Sequence, residues 1–166
     1  HDVVLASWWT RLKQSGELDS IFAESVRPLS YFLQNFASPT LLVFETDDIE
    51  PWMMLWFSPL YSGASVGLWV RQDHRRARKS LDVVNRTFDA AFKTWPILLA
   101  TTKDHSQDRL YRHFGFHALG TIPKLFDGQE AFVSYLTAEL LQERRQQHEH
   151  ERRQGETANS YVLTSA

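Results

Sequence analysis

A chain of 166 residues with 43% hydrophobic content suffices for one compact core and falls short of two ordinary domains. The absence of cysteine excludes disulfides, thiolate nucleophiles and zinc-finger ligands together. A net charge of −2 argues against nucleic-acid binding driven by overall electrostatics, and no apolar run approaches the roughly 20 residues of a membrane-spanning helix.

Asp2 can cap a first helix whose apolar residues Val4, Leu5, Trp8, Trp9 and Leu12 recur at helical spacing, and Gly16 follows its last turn. A second helix is predicted from Asp19, with Ile21, Phe22, Val26, Leu29, Phe32, Leu33 and Phe36 on one broad stripe. Pro28 should kink or restart it, and it should end before Pro39. The period then changes. Residues 41–45, 52–57 and 65–70 are short β-branched and aromatic runs, read as three strands of an antiparallel meander.

Residues 76–93 form a strongly amphipathic helix with Leu81, Val84, Phe88, Ala91 and Phe92 inward. A strand at 97–101 and a helix at 106–114 follow. Gly115 closes that helix, and two last strands, near 117–122 and 131–136, are joined around Asp127-Gly128. This order predicts an α/β (α+β) fold, a mixed sheet flanked by helices, in which strands 65–70 and 97–101 lie adjacent and parallel. From Thr137 the chain turns Glu-, Arg- and Gln-rich. The expected division is therefore a domain at 1–136 and a charged helix with a tail at 137–166.

The stretch Arg109-Leu110-Tyr111-Arg112-His113-Phe114-Gly115-Phe116 resembles a late motif of the GNAT family of N-acetyltransferases, in which a helix ends on Gly-Phe before the next strand. Leu119-Gly120-Thr121-Ile122-Pro123 and Asp127-Gly128-Gln129-Glu130-Ala131 resemble the family's terminal hairpin, and the likeness covers about 41–136. It implies a GNAT-like acyl-CoA-binding domain. The family's phosphate-binding signature, Arg/Gln-x-x-Gly-x-Gly/Ala, aligns with Arg75 first, Arg78 at the first glycine and Ser80 last, so the first glycine is missing. Glycine permits close backbone approach to phosphate. The basic segment 71–79 could replace by charge what that backbone loses.

On this resemblance, Leu68, Trp69 and Val70 would offer backbone to the pantetheine arm of acetyl-CoA. Arg75, Arg76, Ala77, Arg78, Lys79 and Ser80 would hold its pyrophosphate. Tyr111 would protonate the departing thiolate; Asp104, standing where the family often has asparagine, would be a further cofactor contact, and Gln107 stands where the family often has alanine. Glu45 is the candidate general base, with Asp47, Asp48 and Glu50 beside it. No metal site is expected, since a helix break separates His113 from His117.

Two readings of function follow. One is an acyl-CoA-dependent N-acyltransferase that moves an acetyl group to a primary amine. The other is an inactive GNAT-like structural or assembly protein, such as a phage virion component, with residues 137–166 holding a partner chain or a second copy and Tyr161, Val162 and Leu163 docking as an extended segment. No secretory-signal pattern opens the sequence, so the expected setting is cytoplasmic, or the virion on the second reading.

Overall fold

The computed structural model describes every residue except His1, Ala23, 38–40, Asp48, Ile49, Gln72, 74–77, Asp127 and 164–166; of Ser20, 41–44, Asp47, Glu50, Arg78, Phe126 and 154–163 it describes the backbone alone. Helix α1 (Asp2–Ser15) buries Leu5, Trp8 and Leu12, spaced three and four apart on one face. The expected second helix is divided into α2 (Leu18–Ile21), a 3-10 turn (Glu24–Val26) and α3 (Leu29–Asn35). Pro28 stands at the N-cap of α3 in an extended conformation, so the proline restarts the helix.

Six strands follow: β1 (Leu41–Asp47), β2 (Glu50–Leu60), β3 (Gly63–Val70), β4 (Leu98–Thr102), β5 (His117–Phe126) and β6 (Gln129–Leu136). They form one mixed sheet in the order β1-β2-β3-β4-β6-β5. The sheet is antiparallel except between β3 and β4, which are adjacent and parallel as expected, joined through α4 (Arg78–Ala91). Helix α5 (His105–His113) lies between β4 and β5. The terminal hairpin extends beyond the expected bounds, with its ladder resuming at Phe126 opposite Gln129 after a register shift.

Alternation along the strands divides the core in two. On one face Met53, Leu55, Phe57, Val66, Leu68 and Val70 meet Val84, Phe88 and Ala91 of α4, and Tyr111 and Phe114 of α5. On the other, Met54 and Trp69 meet Leu5, Trp8, Phe22, Phe32 and Phe36. Trp8 is fully buried, with ring centroids 5.3–5.9 Å from those of Phe22, Phe32, Phe36, Trp56 and Trp69.

The end of α5 shows why the Gly-Phe pair is there. Gly115 has φ +98°, its N–H donates to the Arg112 carbonyl at 3.0 Å, and the Phe116 N–H donates to the Tyr111 carbonyl at 3.1 Å. This is the Schellman arrangement, and the left-handed residue it needs is glycine.

The C-terminal region departs from expectation twice. Helix α6 runs Ala138–Leu163, so 161–163, expected to be extended, are helical. Its first turns also join this domain's own core. Leu141 is buried against the α4 face, Arg145 donates to the Asn85 carbonyl and pairs with Asp89 at 3.0 Å, and Arg144 donates to the His113 carbonyl. Leu141 and its partly buried neighbour Leu140 suffice to anchor a helix end where arginines can reach across to carbonyls; a stripe along its whole length is not needed.

That anchor carries a pH dependence. The His113 and His148 ring centroids lie 5.3 Å apart. Burial holds the His113 pKa below the ordinary histidine value, with the charges of His148 and Arg144 adding to the effect and Glu151 opposing it. A lowered folded-state pKa means the unfolded chain binds more protons, so this contribution to stability is complete above about pH 6.5 and is lost as pH falls through the folded value. The urea midpoint should drop between pH 7.5 and 5.5, and His113→Gln should flatten that drop. An unchanged slope in the variant would assign the pH dependence to other groups.

Candidate functional site

Strands β3 and β4 pair only at their beginnings, Ala64 with Leu98 and Ser65 with Leu99, the first reinforced by a hydrogen bond from the Ala64 N–H to the Ile97 carbonyl. Beyond these pairs the strands part and the sheet opens. Residues from the two helical layers, elsewhere kept apart by the sheet, meet at this opening around a cavity of about 450 Å³. Ile21, Phe22 and Val26 reach it from one side and Gln107 and Tyr111 from the other; Trp56, Ser65, Thr101 and Thr102 line it from the sheet.

Tyr111 stands where the strands part. Its hydroxyl accepts from the Leu68 N–H at 3.0 Å and donates to the Val66 carbonyl at 3.4 Å, so it occupies part of the ladder edge that β4 leaves unpaired. It is almost fully buried, and burial raises its pKa well above the ordinary tyrosine range, against the smaller opposing effect of the Leu68 N–H. The hydroxyl therefore keeps its proton at any working pH. Gln107, one helical turn earlier on the same face of α5, is 5% exposed, and its Oε1 has no hydrogen-bond partner.

Gly67 shapes the other wall. It faces Trp56 in the β2–β3 register, and a Cβ at Gly67 would overlap the indole. The missing side chain lets the ring lie flat on the strand, where it stacks on Phe22 at 5.7 Å and 25°. The sequence signal for this was an isolated glycine inside a strand, which marks close approach. Ser65, Thr101 and Thr102 had no signal beyond their strands.

Other expected site residues take other places. The Leu68 backbone reaches the opening, whereas the Trp69 side chain is buried in the α1–α3 core with its Nε1 donating to Glu17 at 3.2 Å, and Val70 packs on the α4 face. Asp104 caps α5: one oxygen accepts from the Ser106 N–H at 2.8 Å and the other from the Ser106 hydroxyl at 2.7 Å. Glu45 is in register with Met53, and Met53 with Val70, so it shares the α4 face. It does not line the cavity, and the structure does not bring it together with Tyr111 there.

Of the phosphate segment, Arg75, Arg76 and Ala77 lie outside the described residues, as does the side chain of Arg78. Ser80 is buried in the first turn of α4, and exposed Lys79 sets its ammonium 4.7 Å from the Trp52 ring centroid. Arg71, at the end of β3, pairs with Asp73 at 2.8 Å. Among the described residues no group of three or more His, Cys, Asp or Glu could hold a metal ion, and no helix is long and apolar enough to cross a membrane.

A mixed sheet opened between two parallel strands, with helices on both faces, is the fold of the GNAT acetyltransferases. Solved structures carry this comparison. RimJ of Mycobacterium smegmatis, in complex with CoA-disulfide, matches with a TM-score of 0.63 at 17% identity, over 85% of this chain and 80% of its own. An aminoglycoside 6'-acetyltransferase of type Ii matches at 0.63 and 16%, over 81% of this chain and 90% of its own. The microcin C7 self-immunity acetyltransferase MccE, in complex with acetyl-CoA and AMP, matches at 0.60 and 11%, over 81% and 86%. No family model and no curated protein matches the sequence.

Proposed function

We propose that this chain is an acyl-CoA-dependent N-acyltransferase that transfers an acetyl group to a primary amine. The observation that carries the reading is the open sheet between β3 and β4 with the Tyr111 hydroxyl set on the unpaired edge at the cavity. The residues present fit an acyl-CoA. The parted strands leave room for an extended arm, and the first turn of α4 follows β3 with Lys79 exposed beside it. RimJ and MccE, which share the fold, were solved with CoA-disulfide and with acetyl-CoA.

Acyl-CoA supplies an activated acyl thioester when bound. The work of the chain is to orient it, exclude water and manage one proton. Trp56, Phe22 and Val26 give the cavity a largely apolar wall, which raises the strength of each polar contact inside it. Tyr111, held protonated by burial, is the donor for a leaving sulfur. The missing first glycine of the phosphate signature is balanced by the basic residues 75, 76, 78 and 79, which can hold phosphate through side chains.

Calorimetry with CoA, followed by thiol release from acetyl-CoA in the presence of amines, tests the reading. The expected result is saturable binding with a Kd between about 1 μM and 1 mM. No heat up to millimolar CoA would overturn it. Because the chain has no cysteine, thiol reagents report CoA without protein background.

A further inference from the structure

The cavity combines two features that together describe an acceptor. Its body is apolar and aromatic: Ile21, Phe22 and Val26 stand against the Trp56 indole, which Gly67 admits to the wall. Its polar side chains among the described residues are neutral amides and hydroxyls, and one of them carries a buried acceptor without a partner. The Gln107 side chain is 5% exposed, lines the cavity, and its Oε1 accepts no hydrogen bond. A buried acceptor without a donor is costly, and a ligand N–H that satisfies it recovers that cost.

We propose that the acceptor is a flat, weakly basic aromatic amine, uncharged at neutral pH, whose N–H is received by the Gln107 side-chain carbonyl while its ring lies in the apolar body formed by Ile21, Phe22, Val26 and Trp56. This rests on the N-acyltransferase reading and names the substrate class for the same site. The terminal torsion of glutamine is broad, so a small turn presents the carbonyl to a ligand in the cavity. An ammonium there would be desolvated against neutral partners, whereas an aromatic amine enters with its lone pair already free. In the step itself the amine nitrogen bonds to the acyl carbon as the carbon–sulfur bond breaks. Tyr111 gives its proton to the departing sulfur and is reprotonated through solvent by the one the nitrogen releases, so nothing is oxidised or reduced and Tyr111 ends as it began. Gln107 positions the amine and takes no proton.

The test uses the full chain with acetyl-CoA, aniline as the aromatic probe, and benzylamine and 1,4-diaminobutane as charged probes, at pH 7 with thiol release as the readout. Aniline should have the highest kcat/KM. Gln107→Met, close to isosteric, should raise the KM for aniline about tenfold, the effect of one lost hydrogen bond, with the calorimetric Kd for CoA unchanged. Gln107→Glu should shift the preference toward benzylamine. Higher kcat/KM for the charged amines in the unaltered protein, no turnover of aniline despite CoA binding, or an aniline KM untouched by Gln107→Met would each overturn the assignment and leave the N-acyltransferase reading standing or testable by the other amines. Failure to bind CoA at all would overturn both.

Discussion

Tyr111→Phe is expected to lower turnover at saturating acetyl-CoA by about a hundredfold or more, the scale of a lost general acid, while the Kd for CoA shifts by less than about threefold. On the proposed function the hydroxyl serves two purposes, and the measurement must separate them. As a structural group it satisfies the Leu68 N–H and the Val66 carbonyl, so its removal leaves buried backbone without a partner and should cost about 1–3 kcal/mol of stability. As an acid it must donate to sulfur. A purely structural role would lower the melting temperature and leave turnover of the folded fraction intact, which would remove Tyr111 from the chemistry. The direction of its pKa gives a second readout. Burial raises it, so the donor form persists as pH rises, and turnover should show no decline at the ordinary tyrosine pKa near 10. A fall there that vanishes in Tyr111→Phe would contradict a hydroxyl kept protonated by its burial.

Most of the fold was legible because its signals are local. The change of period at Leu41, the amphipathic stripe of α4 and the Gly115-Phe116 end of α5 each follow from a few neighbouring residues, and Tyr111 came with the last of these. The site was legible only where a side chain's role is set by its own segment. Asp104 illustrates the limit: the resemblance suggested a cofactor contact, whereas Ser106, two residues on, turns the carboxylate into a helix cap. Glu45 illustrates another. Its charge and strand made it a candidate base, but the face it occupies depends on the β1–β2 register, which no single strand encodes. The docking of α6 was missed for a related reason. Leu141 buries itself against residues far earlier in the chain, and the arginines that fasten the helix look like an ordinary charged face in sequence.

Gly67→Ala should be the most damaging small substitution in the molecule, although it adds a single methyl group. In the β2–β3 ladder the position faces Trp56, and a Cβ there would overlap the indole. Away from the cavity the ring has little room to retreat. Its neighbours are Phe22 stacked at 5.7 Å and Trp8 at 5.6 Å, and Trp8 is fully buried among further rings. Close-packed interiors respond to such an insertion by moving side chains off their rotamers or shifting backbone, at a cost of about 1–3 kcal/mol and occasionally more. For a chain of this length, 3 kcal/mol corresponds to a melting temperature lower by roughly 6–12 °C. The displaced indole would also enter the cavity, so CoA-dependent turnover should fall further than the loss of folded protein accounts for. A double-mutant cycle identifies the cause. Trp56→Ala alone leaves a void and costs about 3–5 kcal/mol, but once the ring is gone Gly67→Ala has nothing to strike and should add little. If Gly67→Ala costs as much in the Trp56→Ala background as in the unaltered protein, the damage comes from the strand backbone itself, and the indole is not what requires glycine at this position.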